Sequence, residues 1–228
     1  IMFSIVIPVF NESNNLDSLI KEIFLSLKNY NNFEIIIVND GSTDDTLKQI
    51  VEINNKKIKT VNNKVNKGQS YSIYAGVEKS LNNTIITLDG DGQNDPADIP
   101  KLLESYLNDK DAKLIGGIRV KREDSIIKIF SSKTANFIRS KILKDGCLDT
   151  GCSLKVFNKD IFLSFPYFDG IHRFLPALFK GYGYKTKFIN VNHRKRNYGV
   201  SKYGTMNRLF KGIRDMYKVK KIIHNKSN

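Results

Sequence analysis

Asp89 and Asp91 stand one residue apart in Asp-Gly-Asp-Gly-Gln, directly after the short apolar run Thr84 to Leu88. Two carboxylates this close repel each other unless a cation lies between them, and hard oxygen ligands on a loop suit Mg²⁺ or Mn²⁺. An ion held by two carboxylates keeps coordination sites for the oxygens of a diphosphate. Asp and Gly also populate ordinary turns, so the spacing acquires chemical meaning only from what the rest of the chain brings beside it.

The elements that must position these residues are legible from apolar periodicity. Phe3 to Val9 is a continuous apolar run of the kind a buried parallel strand shows. A helix is expected from about Asn14 to Lys28, with Leu16, Leu19, Ile20, Ile23, Phe24 and Leu27 on one face. Phe33 to Asn39 reads as the next strand. Asp40-Gly41-Ser42-Thr43-Asp44-Asp45 then forms a turn and caps a helix running through about Ile53. A weaker strand (Ile58 to Asn62), a helix (about Gly68 to Leu81), the strand Thr84 to Leu88 and a helix over about residues 98–108 complete the first half. Repeating β-α-β units imply a mainly parallel sheet whose ligands gather beyond the carboxyl ends of its strands. Pro8 to Glu12, Asn39 to Ser42 and Asp89 to Asp91 are therefore expected to meet on one edge.

The second half is less regular. A strand is expected over Leu114 to Ile118, a helix over residues 125–143, a strand over Ser153 to Phe157, a helix over Ile171 to Lys180, and a strand over Lys185 to Asn192. Thr205 to Ile223 has the pattern of a basic amphipathic helix, with Met206, Leu209, Phe210, Ile213, Met216, Tyr217 and Ile222 along one flank, suited to an anionic membrane surface. No internal repeat or low-complexity linker interrupts the chain, so residues 1–228 are expected to form one domain.

Composition narrows the partners. The net charge of +14 is unevenly spread: residues 1–115 hold 12 Lys/Arg against 16 Asp/Glu (−4), and residues 116–228 hold 25 against 7 (+18). This segregation suggests an acidic, metal-using half and a half facing something anionic. Two cysteines, Cys147 and Cys152, form no disulfide framework or zinc pattern and are expected to be buried packing residues. The N-terminus runs straight into a strand, which argues against a signal peptide, and no apolar stretch reaches membrane-span length. The chain as given is expected to be soluble or peripheral.

Ile-Val-Ile-Pro-Val-Phe-Asn-Glu (5–12), Val-Asn-Asp-Gly-Ser-Thr-Asp-Asp-Thr (38–46), Asn66-Lys67-Gly68 and Leu-Asp-Gly-Asp-Gly-Gln (88–93) resemble the nucleotide-sugar half of family 2 glycosyltransferases with a GT-A fold. Asp-Thr-Gly-Cys (149–152), Gly-Ile-His-Arg-Phe-Leu-Pro (170–176) and the His193 to Tyr203 segment, with Arg194, Arg196 and Lys202, are similar to the acceptor half of polyprenyl-phosphate glycosyltransferases, a group like dolichol-phosphate mannosyltransferase. The resemblance covers about residues 3 to 217. It divides the single α/β domain into a donor half (about 1–115), an acceptor half (about 116–204) and the membrane-facing helix (about 205–223).

This resemblance implies that Pro8, Asn11, Glu12, Asp40, Gly68, Asp89, Gly90 and Asp91 bind the donor, a GDP- or UDP-sugar. Asp40 would accept an N–H of the base. Asp89, Asp91 and Gln93 would hold Mg²⁺ or Mn²⁺. The Gln-x-x-Arg-Trp signature of sugar-polymerising relatives is impossible here, since the chain has no tryptophan, and Gly170-Ile171-His172-Arg173 stands where their acidic base motif would be expected. A phosphate acceptor needs no base, because its second pKa of about 6 leaves it a dianion at neutral pH. It needs cations, for which Arg119, Lys133, Arg173, Arg194, Arg196 and Lys202 are candidates, with Ser201 as a hydroxyl donor. Arg119, Arg194, Arg196 and Lys202 would act with Asp89 and Asp91 in catalysis. The expected activity is inverting, metal-dependent sugar transfer to a polyprenyl phosphate, such as a dolichyl or undecaprenyl phosphate, at the cytoplasmic face of a membrane. A membrane-protein partner or further C-terminal transmembrane segment is compatible with this reading, and a nucleic-acid partner is not part of it. Two alternatives stay open: transfer to a saccharide or protein hydroxyl with Asp149 or Asp169 as base, and a basic nucleic-acid-binding domain.

Overall fold

The computed structural model describes residues 1–120, 137–195 and 205–227, with backbone alone for 205–210 and 227. Seven strands form one sheet: β1 (Phe3–Val9), β2 (Phe33–Asp40), β3 (Ile58–Asn63), β4 (Thr84–Thr87), β5 (Ala112–Arg119), β6 (Lys155–Asn158) and β7 (Lys185–Val191), in the order β3-β2-β1-β4-β6-β5-β7. Every pairing within β3-β2-β1-β4 is parallel, as is β5 with β7. β6 runs antiparallel to both of its neighbours.

The helices are α1 (Ser13–Ser26), α2 (Thr46–Glu52), α3 (Gln69–Lys79), α4 (Ile99–Leu107), the helical residues 137–143 (α5), α6 (Lys159–Ser164), α7 (Leu175–Gly181) and α8 (Thr205–Ser227). The central strands are mostly apolar, with Ile-Val-Ile in β1 and Ile-Ile-Ile-Val in β2, because both faces of the sheet are covered. Phe3, Ile5, Ile7, Ile35 and Ile37 pack with Leu16, Leu19 and Ile23 of α1, together with Leu102 and Leu103 of α4, on one face. Val6, Ile36 and Val38 pack with Ile73 and Val77 of α3 and Leu178 and Phe179 of α7 on the other. Cys147 and Cys152 are free and buried, as expected. Apolar burial pushes the Cys152 thiol up to about 11.

Several boundaries moved. The expected helix over 171–180 is a 3-10 turn, Ile171–Arg173, followed by α7, because Pro176 in the first turn of α7 lacks the N–H that would continue the ladder. α6 was missed, as six residues are too few for a periodic signal; Asn158 caps it by accepting the N–H of Ile161 at 2.9 Å. Of the expected 125–143 helix, residues 121–136 lie outside the described residues.

The apolar flank expected on α8 is rotated. Met216 and Val219 are buried, and Ile222 and Ile223 pack beside them in the core of α3, α6 and α7. Ile213 and Tyr217 face outward, 42% and 70% exposed, among the exposed Lys211, Arg214, Lys218, Lys220 and Lys221. Residues at i, i+3 and i+7 from Met216 complete the core stripe, and this tertiary packing overrides the broader apolar count. No helix among the described residues is long and apolar enough to cross a membrane.

Candidate active site

The carboxyl ends of β1, β2 and β4 open into one pocket with an empty volume of about 590 Å³, lined by Pro8, Val9, Phe10, Glu12, Asp40, Asn66, Gly68, Gln69, Asp89, Gly90 and Asp91. The convergence expected from the parallel sheet is therefore present. Because β6 runs the other way, its N-terminal end lies beside the carboxyl end of β4, and Ser153 and Lys155 line a second, smaller cavity there with Thr87 and His172.

Asp40 ends β2 almost fully buried and is held by three N–H donors. Its Oδ1 accepts from Asn63 Nδ2 and from the Lys67 backbone N–H, each at 2.9 Å. Its Oδ2 accepts from the Gly68 N–H at 2.9 Å. Gly68 has φ 87°, a conformation that L side chains rarely adopt, and this bend aims successive N–H groups at the carboxylate.

At the other end, Gln69 Nε2 donates to Asp89 Oδ1 at 2.6 Å. Asn94 accepts the Asp89 N–H at 3.1 Å and the Ser153 hydroxyl at 2.6 Å, while Asp91 accepts the Gln93 N–H at 3.1 Å. A Cβ on Gly90 would lie 2.6 Å from Val9 Cγ1, so only glycine lets the turn lie this close to β1. Burial and the charge of Asp91 push the Asp89 carboxyl up to about 6, with Lys155 and Arg119 pulling against them. Two carboxylates close enough to act on each other's charge fit a divalent cation. Among the described residues no group of three or more His, Cys, Asp or Glu forms a metal cluster. Asp89, Asp91 and Gln93 are the residues here that could hold Mg²⁺ or Mn²⁺, with diphosphate and water completing its shell.

The remaining expected site residues are placed as follows. Asn11 does not line the pocket; it braces the neighbouring loop, accepting the Thr43 N–H at 2.8 Å and donating its own N–H to Ser42 Oγ at 3.0 Å. Its φ of 55° makes that reach possible. Glu12 lines the pocket and accepts from Asn15 at 2.7 Å. Gln93 is tied through its carbonyl to the Arg194 N–H at 2.9 Å, which joins the acidic turn to the segment after β7. The Arg194 side chain pairs with Glu22 of α1 and, at 2.6 Å, with Asp95. Arg119 forms a two-point bridge with Asp149, and Arg173 pairs with Asp215 of α8 at 3.0 Å. Lys133, Arg196, Ser201 and Lys202 lie outside the described residues.

Phe10, Gln69, Asn94, Ser153 and Lys155 were not singled out from sequence. Gln69 had a signal, since it follows the glycine that bends toward Asp40. Lys155 had none, because its place depends on the direction of β6.

The sequence matches the profile "Glycosyl transferase family 2" over residues 4–164. The chain belongs to glycosyl transferase family 2. This family 2 chain is 34% identical over 223 residues to a "Dodecaprenyl-phosphate galacturonate synthase" of Rhizobium johnstonii, covering 95% of this chain and 65% of that protein. It is 33% identical over 204 residues to an "Undecaprenyl-phosphate 4-deoxy-4-formamido-L-arabinose transferase" of Pectobacterium carotovorum subsp. carotovorum, covering 88% of this chain and 62% of that protein. It thus spans somewhat under two thirds of the length of these relatives. Among solved structures, glucosyl-3-phosphoglycerate synthase from Mycobacterium tuberculosis in complex with Mn²⁺, uridine diphosphate and glucosyl-3-phosphoglycerate superposes with a TM-score of 0.70 at 17% identity, covering 96% of this chain and 78% of that one. The fold of the family 2 chain is accordingly of the GT-A type, as its strand pattern and motifs implied.

Proposed function

We propose that this chain transfers a sugar from a nucleoside-diphosphate sugar to a polyprenyl phosphate at an anionic membrane surface, with inversion at the anomeric carbon. The observation that carries the reading is the single pocket with Asp40 at one end and Asp89 and Asp91 at the other. Those ends match a base with an N–H to donate and a diphosphate. The relatives named for dodecaprenyl- and undecaprenyl-phosphate sugar transfer supply the acceptor class.

In this reading Asp40 anchors the base, and Asp89 and Asp91 hold Mg²⁺ or Mn²⁺. The bound cation would neutralise charge on the departing diphosphate. An oxygen of the acceptor phosphate attacks the anomeric carbon as the bond to the diphosphate oxygen breaks on the opposite face. Arg119, whose charge acts on Asp89, and Arg194, Arg196, Lys202 and Ser201 would offset the repulsion between acceptor and donor phosphates, with Lys133 and Arg173 beside the acceptor. A phosphate acceptor is supported over a hydroxyl by the state of the two carboxylates a hydroxyl acceptor would need as base. Asp149 gives both oxygens to Arg119, and the exposed Asp169 is paired with Lys211, which holds its carboxyl below the ordinary range. The outward Ile213 and Tyr217 among lysines on α8 suit an anionic interface.

Incubation with radiolabelled nucleotide sugar, Mn²⁺ and polyprenyl phosphate tests the reading. Label is expected in organic-extractable lipid. Label found only in water-soluble saccharide or in protein would overturn the assignment of the acceptor.

A further inference from the structure

Gly68, Gln69 and Ser70 are consecutive, yet they serve three different places. Gly68 donates to Asp40 and Gln69 to Asp89, the two ends of the pocket. Ser70, fully buried in the first turn of α3, turns the opposite way. Its Oγ accepts the Gly170 N–H at 2.7 Å and lies 2.7 Å from His172 Nδ1. A hydroxyl has one proton to give. In the tautomer with the ring proton on Nε2, Ser70 accepts from Gly170 and gives its own proton to Nδ1.

The segment around His172 is fixed from its far side too. Gly170 has φ 107°, and a Cβ there would lie 2.6 Å from Asp215 Oδ2 of α8. Arg173 is paired with the same carboxylate, and Asp169 with Lys211. Asp169 also approaches the donor side, its Oδ1 lying 4.0 Å from the position of a Gly68 Cβ. Burial, reinforced by Arg173 and Lys155, holds the His172 ring well below its ordinary pKa, so the ring is neutral at neutral pH and one of its nitrogens is an acceptor.

We propose that His172 is a positioning residue: through Ser70 it ties the 169–173 segment to the first turn of α3 and so sets the Gly68–Asp40 and Gln69–Asp89 contacts that receive the donor. The inference rests on the proposed function for the identity of that donor. It makes donor affinity depend on a side chain that touches neither the donor nor the metal ligands.

The experiment compares Mn²⁺–uridine diphosphate affinity, by calorimetry, for wild type, Ser70→Ala, His172→Phe, His172→Asn and the Ser70→Ala/His172→Phe double variant. Each of Ser70→Ala and His172→Phe is expected to weaken binding about tenfold, the scale of one lost buried hydrogen bond. The double variant is expected to bind no worse than the weaker single variant, because both break one link. His172→Asn places an acceptor oxygen near the Nδ1 position and is expected to stay within about threefold of wild type. Nitrogen-15 spectra of the wild-type ring, one of only three histidines, are expected to show an unprotonated, acceptor Nδ1 and a protonated Nε2.

Single variants that bind like wild type, losses that multiply in the double variant, or an Asn variant as weak as Phe would overturn the inference. So would a protonated Nδ1. Should His172→Phe fail to fold, Ser70→Ala, His172→Asn and the spectra still decide. A wild-type protein that bound no nucleoside diphosphate would instead remove the proposed function and, with it, the inference. Normal wild-type binding with indifferent variants removes the inference alone.

Discussion

Arg119 and Asp149 face each other through two parallel contacts, Nε to Oδ2 and Nη2 to Oδ1, both 2.7 Å, while the Arg119 backbone N–H adds a third at 3.1 Å. The side chains retain only 13% and 7% of their exposure. This bridge ties the end of β5 to the segment entering β6, where Arg119 stands within reach of the field of Asp89. Removing one partner strands a buried charge, so Asp149→Ala is expected to lower unfolding free energy by about 3 kcal/mol. Arg119→Lys keeps the charge but loses the planar fork, and chemical denaturation should place it between wild type and Asp149→Ala. An unchanged midpoint for Asp149→Ala would show that the pair is not a structural tie.

Asp91→Asn removes one charge from the acidic pair while keeping its size. Divalent-ion-dependent nucleotide binding is expected to weaken by about 10- to 100-fold with the fold intact, the range seen when a metal site loses part of its support. Calorimetry with Mn²⁺ present and with chelator checks both parts. Wild-type affinity in the variant would remove the metal role from Asp91.

Asp40 leaves little room for a second base contact. Oδ1 already accepts two N–H groups and Oδ2 one, so about one acceptor position of a carboxylate's four remains. Uracil presents one ring N–H there, guanine a ring N–H and an amino N–H side by side, and cytosine an amino N–H beside a bare ring nitrogen that would face the carboxylate unmatched. Uridine diphosphate is therefore expected to bind at least about tenfold more tightly than the guanosine or cytidine analogue, since an unmatched polar group costs 1 kcal/mol or more. A competition series in Mn²⁺ reads this directly, and equal or tighter guanosine diphosphate binding would refute it.

His172 also makes a statement about acid stability. Its ring is held down to about 3, by burial first and then by Arg173 and Lys155, with Asp169 opposing and Lys211 assisting. In the unfolded chain it takes up a proton near pH 6.5. Between these values the unfolded state binds the extra proton. The stabilisation is therefore complete above about pH 6.5 and is lost as pH falls toward 3. His172→Asn is expected to flatten the decline of melting temperature between pH 6.5 and 4. Parallel wild-type and variant curves over that window would show that the ring charges freely in the folded protein.

The donor side was legible because its chemistry sits in continuous segments at the ends of parallel strands. Asp40, Asp89 and Asp91 each follow a readable apolar run, and β-α-β succession alone places those runs side by side. The family resemblance implied that Asn11 is a donor-binding residue. Its backbone conformation turns it to the Ser42 loop instead, which no periodicity reveals. The acceptor side was less legible for a different reason. Lys155 comes beside the end of β4 because β6 reverses direction, and Ser70 meets Gly170 and His172 across a hundred residues of chain. The outward side of α8 was misjudged because counting apolar residues does not say which of them the core takes.

The reversed strand also constrains how the protein reaches its native state. β4 and β5 have no direct partner in each other; both wait for Lys155–Asn158 to slide between them. Until that segment leaves the ribosome, two apolar strands keep unpaired inner edges, the kind of template on which chains associate wrongly. Sheet closure therefore depends on a contact between distant parts of the chain, and such contacts form slowly. Fragments ending before residue 155 should collect in inclusion bodies, whatever the quality of the donor-binding motifs they contain.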